Sequence, residues 1–354
     1  VTATTPVQNT AAHSREANPA GAAGGHGVGL ATARHASGIF GRIVGRSIAI
    51  FVPVFFVATF ATFLLRAMSG LDPARIQLGE DATPLEIHRI EASYGLDRPF
   101  FAQYWSWLTG VLHGNLGRSW SNGYPVSTLI RDGLTVSLTV TTLALIIGVV
   151  FGLALGALAA VRRTTWIDRG ITSVLSVVST VPAFVIGIIL VEVITVGLHL
   201  LPSAGFVPFS TGLWPWLSHV LMPALCLSFG CMSAFARQLR TGLIGAYREN
   251  YVIGATVRGL SPRRIFFRHV LRNGIGPAVA VLALEFPTIL GGSVIVESIF
   301  ALNGFAQFAS TSAQMGDVPA VQGVLVVSIV LVVTFNLIVN LVLGRLAPAA
   351  QRGV

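Results

Sequence analysis

Three carboxylates stand where a carboxylate is expensive. Glu192, Glu285 and Glu297 lie inside long apolar runs. A charge at the depth of a bilayer costs about 3 kcal/mol or more unless it faces protein or water. Such groups serve as stations in a polar pathway or as hydrogen-bond anchors between helices. Glu192 lies near the end of its run, where it can reach an interface. Glu285, in the inner half of its run, cannot reach out in this way, so a pathway role and an inter-helix bond both stand for it. Glu297 lies one turn from the end of the same run, before Phe300 and an Asn303-Gly304 turn. There a gate and a bond to neighbouring backbone are equally open. Pro182, and Pro287 followed by Gly291-Gly292, fall in the same runs. Proline removes a ladder N–H and clashes with the preceding turn. Broken backbone at membrane depth is kept only where protein or a water-filled cavity covers it. Pro182 and Pro287 therefore join Glu285 and Glu297 as pathway or gate positions.

Other chemistries find little support. All 23 basic residues are arginine. A Walker A loop needs a lysine to reach nucleotide phosphates, so the chain has no such ATPase site of its own. Cys226 and Cys231 are five apart and do not share a helix face; they read as buried, reduced thiols. No HExxH or CxxC spacing points to a metal. His88, His113, His199, His219 and His269 have no nucleophile or acid partner at motif spacing. Ser261, before Pro262, reads as a helix cap. No catalytic constellation emerges, and the basic excess suits membrane orientation rather than nucleic acid.

The elements that must position these residues are helices in a membrane. The chain is 53% apolar and 10% charged, where soluble domains carry about 25% charged residues. The expected class is an all-α polytopic membrane protein. Runs of about 20 apolar residues predict six spans, at 47–65, 134–161, 171–201, 214–236, 275–300 and 318–344. Arginines gather before the first span, after the second, after the fourth and in the C-terminal tail, while the loops after spans three and five have none. This asymmetry predicts cytoplasmic N- and C-termini. Residues 1–36, rich in Ala, Gly, Thr and Pro, read as a disordered cytoplasmic tail, and residues 38–46 as a short interfacial helix. Residues 37–346 form the transmembrane part, and 347–354 a second cytoplasmic tail.

Two loops carry structure of their own. The stretch 237–277 holds eight arginines and one acid, Glu249. A short helix is predicted to stop at Gly259, in the left-handed C′ position. The next begins at once, with Ser261 as N-cap and Pro262 at the first helical position. The outer loop, 67–133, contains Thr83-Pro84-Leu85-Glu86, a capping box opening a helix that ends at Gly95. Beyond it Phe101, Trp105, Leu108 and Leu112 form an apolar stripe. That stripe reads either as a helix lying on the bilayer or as a docking surface for an external partner. Gly148, Gly152 and Gly156, four apart, allow two helix backbones to approach closely, within the chain or between subunits.

The arginine-rich elbow resembles the cytoplasmic loop of ABC importer permeases of the dipeptide/oligopeptide (and nickel) family. The resemblance rests on Tyr251-Val252, Ala255, Arg258-Gly259-Leu260-Ser261, Arg264, Arg268-His269, Leu271-Arg272-Asn273 and Pro277. Gly70-Leu71-Asp72-Pro73, Tyr94-Gly95-Leu96-Asp97-Arg98-Pro99 and Gly114-Asn115-Leu116-Gly117 resemble the external region of the first permease of the pair, the dipeptide permease B type. Leu221-Met222-Pro223, Gly291-Gly292, Val296-Glu297, Phe300 and Val321-Gln322-Gly323 follow in order, so the likeness covers about 40–346. The chain departs from the pattern at Asn250, where an acid is expected, at Asn340, and at Ala347-Pro348-Ala349.

The resemblance implies a six-helix type I ABC importer permease fold in a bacterial plasma membrane. It implies a homologous second permease, two cytoplasmic ATPases that bind the ATP, and an extracytoplasmic substrate-binding protein. The chain itself would hold no cofactor. The loop 237–274 would be the coupling loop, with Asn250, Tyr251, Ala255, Gly259 and Leu260 on the ATPase. Phe101, Trp105 and Leu108 would face the binding protein. Dipeptides or oligopeptides are the expected cargo, with a nickel chelate or haem as alternatives. A proton-coupled secondary transporter using the three glutamates is the rival class; no inverted repeat supports it.

Overall fold

The computed structural model describes residues 51–68 and 83–346, with residues 45, 49, 78 and 79. The chain divides after Arg42, and all described residues belong to the second unit. The tail 1–36, most of the helix expected at 38–46, the turn at 70–73 and the tail 347–354 lie outside the described residues.

Among the described residues the regular structure is helical; one isolated antiparallel bridge joins Arg118 and Pro125. α1 is Phe51–Met68. After it, α2 is Pro84–Tyr94 and α3 is Phe100–Leu112. α4 is Val126–Val161, α5 Trp166–Thr180 and α6 Ala183–Gly197, the last part of which, Val191–Gly197, is a π-turn. α7 is Leu213–Tyr247 and α8 Asn250–Val257. α9 covers residues 262–274 in three pieces, with a π-turn at Phe266–Val270 in the middle. α10 is Gly276–Ile299, α11 Phe305–Gln314 and α12 Val318–Leu346. α1, α4, α7, α10 and α12 are long and apolar enough to cross a membrane, and α5 with α6 makes a sixth span bent by 97°.

The bend has a local cause. Val181 is extended (φ −80°, ψ 123°), the conformation the residue before a proline is pushed into, and Pro182 then starts α6. Pro287 behaves differently from expectation. α10 runs through it without a break, because a single missing N–H in a packed helix is absorbed by the turns on either side. The fourth span also differs. Hydropathy ends it at residue 236, yet α7 continues to Tyr247. Leu239, Leu243 and Ala246 keep one face buried at helical spacing, so the helix outlasts the apolar run.

The glycine stripe packs inside the chain. A Cβ on Gly148 would lie 3.0 Å from Cys231 Sγ, one on Gly152 3.0 Å from the Met232 carbonyl oxygen, and one on Gly156 2.7 Å from the Ala236 carbonyl oxygen. α4 thus lies directly on the backbone of α7. α7 also meets α5, α6, α10 and the last piece of α9. At the start of α2, Thr83 and Glu86 form the expected capping box, with Thr83 N–H donating to Glu86 Oε2 at 3.0 Å and Glu86 N–H to Thr83 Oγ1 at 3.4 Å.

Two outcomes follow from these contacts. Gly156→Leu, which drives a side chain into the α7 backbone, should destabilise the chain by about 1–3 kcal/mol, read as a lower thermal midpoint of the detergent-solubilised protein. The Glu86 carboxyl is held below its ordinary range, first by the Thr83 hydroxyl and then by the Thr83 N–H. Its clamp is therefore fully present above the unfolded pKa and is lost as pH falls through the folded one. The protection of amides at the start of α2, after division by the intrinsic exchange rate, should therefore fall as the Glu86 carboxyl becomes protonated on acidification, and Thr83→Ala should remove that acid-linked loss.

Candidate functional site

The elbow at 237–277 folds into a compact knob. α8 ends in a Schellman motif: Gly259, at φ +76°, donates its N–H to Thr256 O at 2.9 Å, and Leu260 N–H bonds Ala255 O at 3.2 Å. A Cβ at Gly259 meets nothing within 4 Å, so glycine is there for its dihedral rather than for space. Ser261 takes the N-cap backbone conformation before Pro262, but its hydroxyl makes no capping bond. Burial of its ring raises the Tyr251 phenol above its usual range, opposed by the nearby Asn273 side chain.

The knob has an inner and an outer face. Val252, Ala255, Ile265 and Val270 are buried with Leu239, Leu243 and Ala246 of α7, Ala160 of α4 and Ala278 of α10, and Leu260 packs against this cluster. Ala255, at 0% exposure, is thus corrected from a partner contact to a seat inside the chain, with Leu260 partly so. Asn250, Tyr251 and Gly259 do face outward. Sequence reasoning missed Ile253 and Val257, the latter 83% exposed. Their spacing from Asn250, at i+3 and i+7, was the available signal.

Asp168 at the start of α5 holds Arg240 of α7 in a fork, Nε to Oδ1 at 2.6 Å and Nη2 to Oδ2 at 2.8 Å. It also accepts the Thr164 N–H at 3.0 Å. Asp168 is buried, and no motif in the sequence singled it out.

The three glutamates have separate environments. Glu192 is exposed in the π-turn of α6. Glu285 is half-buried and lines a cavity of about 170 Å³ with Val181 and Ala183, which flank Pro182, and with Cys226, Cys231 and Thr288. The bend of the third span and Glu285 therefore share one cavity, while Pro287 lies one turn or less from Glu285 in α10. Glu297 is fully buried and fully engaged. Its Oε1 accepts Ser137 Oγ at 2.5 Å and Ser293 Oγ at 2.9 Å, and its Oε2 accepts Gln307 N–H at 2.8 Å. Ser137 Oγ in turn accepts Phe305 N–H at 2.8 Å. Gly304, the N-cap of α11, has no side chain to offer, and a Cβ there would collide with the Glu297 carboxylate. Glu297 caps α11 from another helix.

Between the first two spans, α3 pairs with α1. Phe100 meets Phe60 and Phe63, Tyr104 meets Thr59 and Phe63, and Leu108 meets Phe55. Eight residues along α3 match eight back along α1, about 12 Å on each, so the two run antiparallel. Leu108, 5% exposed, is corrected from a docking residue to the core between α1, α3 and α12. Phe101 and Trp105 are exposed.

Comparison with known proteins decides the family. Residues 152–352 match the model for the binding-protein-dependent transport system inner membrane component, and residues 39–141 match that for its N-terminal region. The chain belongs to this family. By that description its members are the membrane components of transport systems that depend on a binding protein. A putative peptide transport system permease protein of Brucella abortus (strain 2308) is 32% identical over 82% of this chain and 92% of its own length. The glutathione transport system permease protein GsiC of Escherichia coli (strain O6:H1 CFT073) is 31% identical over 85% and 95%. In fold, the chain is similar to the MetNI methionine ABC transporter in an inward-facing conformation, with TM-score 0.50 and 17% identity over 62% of this chain and 96% of that one. It is a multi-pass membrane permease with the all-α type I ABC importer fold.

Two of the permease's three membrane glutamates, Glu285 and Glu297, should part company on substitution. Glu297→Ala strands the Ser137 hydroxyl and the Gln307 N–H and removes a cap, at about 2 kcal/mol or more. Its expected result is a low yield of monodisperse protein. Glu285→Gln breaks no hydrogen bond of the described residues and should leave yield and melting unchanged.

Proposed function

We propose that this permease is one half of the translocation pathway of an ATP-driven importer of dipeptides or oligopeptides. The observation that carries the reading is the identity, over more than four-fifths of the chain, to permeases named for peptide transport. The relative named for glutathione, itself a tripeptide, supports the same substrate class. Nickel chelates and haem are the other cargoes to test.

In this reading the chain pairs with a homologous permease. Two cytoplasmic ATPases bind ATP, and a substrate-binding protein delivers the peptide from outside. Both termini and the loop 237–274 are cytoplasmic, in a bacterial plasma membrane, since the arginines gather on that side. The loop 67–133 is extracytoplasmic, with Phe101 and Trp105 available to the binding protein. The knob of α8 meets an ATPase through Asn250, Tyr251, Ile253, Val257 and Gly259. ATP holds the two ATPases closed, and the closed state draws the knobs together; its differential affinity supplies the bias between inward and outward forms. The cavity shared by Glu285 and the α5–α6 bend is a station on the peptide's route.

The test is uptake of labelled di- and oligopeptides in cells lacking this chain. The intact chain should restore uptake. Gly259→Val forces a β-branched residue to φ +76°, costing about 1–3 kcal/mol locally. It should insert normally and restore less than a tenth of the uptake. Full uptake by that variant would sink the coupling role, and unchanged peptide uptake in the deletion would move the cargo to a chelate or haem.

A further inference from the structure

The cavity beside the α5–α6 bend carries a single charge. Glu285 is the one charged residue among its described lining residues, and none of the lining side chains bears an N–H. The carboxylate makes no hydrogen bond and no ion pair among the described residues. Arg237 of α7 is near enough for its charge to be felt at Glu285, yet it is exposed and stands outside the cavity wall. Asp168, Glu297 and Asp317, by contrast, are spent on donors of the fold itself.

The neutral polar side chains of the wall are chiefly acceptors. Ser179 Oγ gives its hydrogen to Ser176 O at 2.9 Å, and Thr288 Oγ1 gives its own to Leu284 O at 2.9 Å. Each hydroxyl oxygen then has only lone pairs left to offer, and the thiols of Cys226 and Cys231 are weak donors. The backbone is open as well. At the bend the carbonyls of Ser179 and Thr180 receive no backbone N–H, and the N–H of Ala183 has no backbone acceptor. These are the unpaired groups that every helix end leaves. The end of α5 and the start of α6 oppose each other in dipole, so the carboxylate sets the sign of the site. Val178, Ile186, Leu227, Phe229 and Ile289 make the rest of the wall apolar. The cavity is not sealed, since Ser179, Gly230, Thr288 and Gly292 in its wall are exposed.

We propose that Glu285 is the specificity-determining residue for the N-terminal end of the transported peptide. Its carboxylate takes the primary ammonium, and the Ser179 and Thr288 hydroxyls accept from the same group. The inference rests on the importer reading and names what the cavity recognises. An ammonium has three donors and no acceptor, the complement of a carboxylate among acceptors, and the bond is charge-assisted. The open N–H and C=O groups at the bend suit the first peptide unit, which carries one of each. The apolar wall takes the first side chain. A volume of about 170 Å³ suits one residue rather than a whole peptide, so the selection is for the free N-terminus and not for length. A hard metal cation would call for six or so oxygen ligands, and this wall has one carboxylate.

The full-length chain in an uncharged detergent is dialysed to equilibrium against labelled dialanine and, separately, against labelled N-acetyl-dialanine, which lacks the ammonium. The intact chain should bind dialanine saturably and about tenfold more tightly than the acetylated peptide. Glu285→Gln, which breaks no hydrogen bond of the described residues, should bring the two Kd values together by weakening dialanine alone. A merely structural role would weaken both peptides alike. Glu192→Gln, at an exposed site outside the cavity wall, should leave the preference intact. No saturable binding of dialanine, equal Kd values on the intact chain, or a preference that survives Glu285→Gln overturns the proposal. Uptake in cells is not the readout. Restored peptide uptake without this preference would leave the importer reading standing and strike the Glu285 assignment alone.

Discussion

The structure depends on the seam between α4 and α7. Lipid tails are as apolar as leucine, so helices in a bilayer gain nothing from hiding apolar side chains from them. What holds them is close contact. Gly148, Gly152 and Gly156 let the α4 backbone reach the carbonyls of Met232 and Ala236, and dispersion over so many short contacts adds up. Once α7 is fixed in this way the other elements have a wall to stand on. α5 hangs from it through Asp168 and Arg240, and the end of α9 approaches it where Gly274 faces Gly242.

The buried acids obey a second constraint. The first N–H groups of each helix have no partner within it, and inside a membrane protein water is not at hand to supply one. Three acids meet that need. Asp317 serves the start of α12 while binding the 119–121 loop. Glu297 serves the start of α11 across a gap of ten residues, and Asp168 serves the turn before α5. Each carboxylate is hydrogen-bonded on both oxygens, which is what makes its burial tolerable. Glu285 has no such set of donors and sits at a cavity instead. That contrast separates it from Glu297 more sharply than their similar positions in apolar runs could.

What was legible in the sequence was local. Gly259 followed by Ser261-Pro262 specified a helix end and a helix start within three residues, and that geometry is found. The glycine spacing specified a close helix contact, and Pro182 a break. Partners distant in sequence were not legible. Ser137 meets Glu297 across 160 residues and Ser119 meets Asp317 across 198, and nothing in the local pattern ties them. The same limit explains Leu108 and Ala255. Periodicity finds an apolar face but does not say whether that face meets lipid, a partner or the chain's own core. Pro287 illustrates the converse: a strong local breaker is overruled when neighbouring turns are packed.

The seating of α8 bears on how a knob of eight residues could move a membrane domain. A loop tethered only at its ends would absorb a push as bending. Here Val252 and Ala255 lie in one buried cluster with Leu239 and Leu243 of α7 and Ala278 of α10, and packed interiors transmit displacement rather than absorb it. Leu282 of α10 touches that cluster and also the next one, which includes Cys226 and Cys231 of α7 and Ile289 of α10. Both thiols and Ile289 line the cavity of Glu285 beside the α5–α6 bend. The exposed face of the knob is thereby connected to that cavity through apolar contacts, with no mobile linker between. A bent span at the far end of such a path is where a rigid push is most readily converted into a change of shape. Pro182 has no N–H to give there and Val181 N–H bonds only Val178 O at 3.2 Å, so the regular ladder does not run across the joint between α5 and α6.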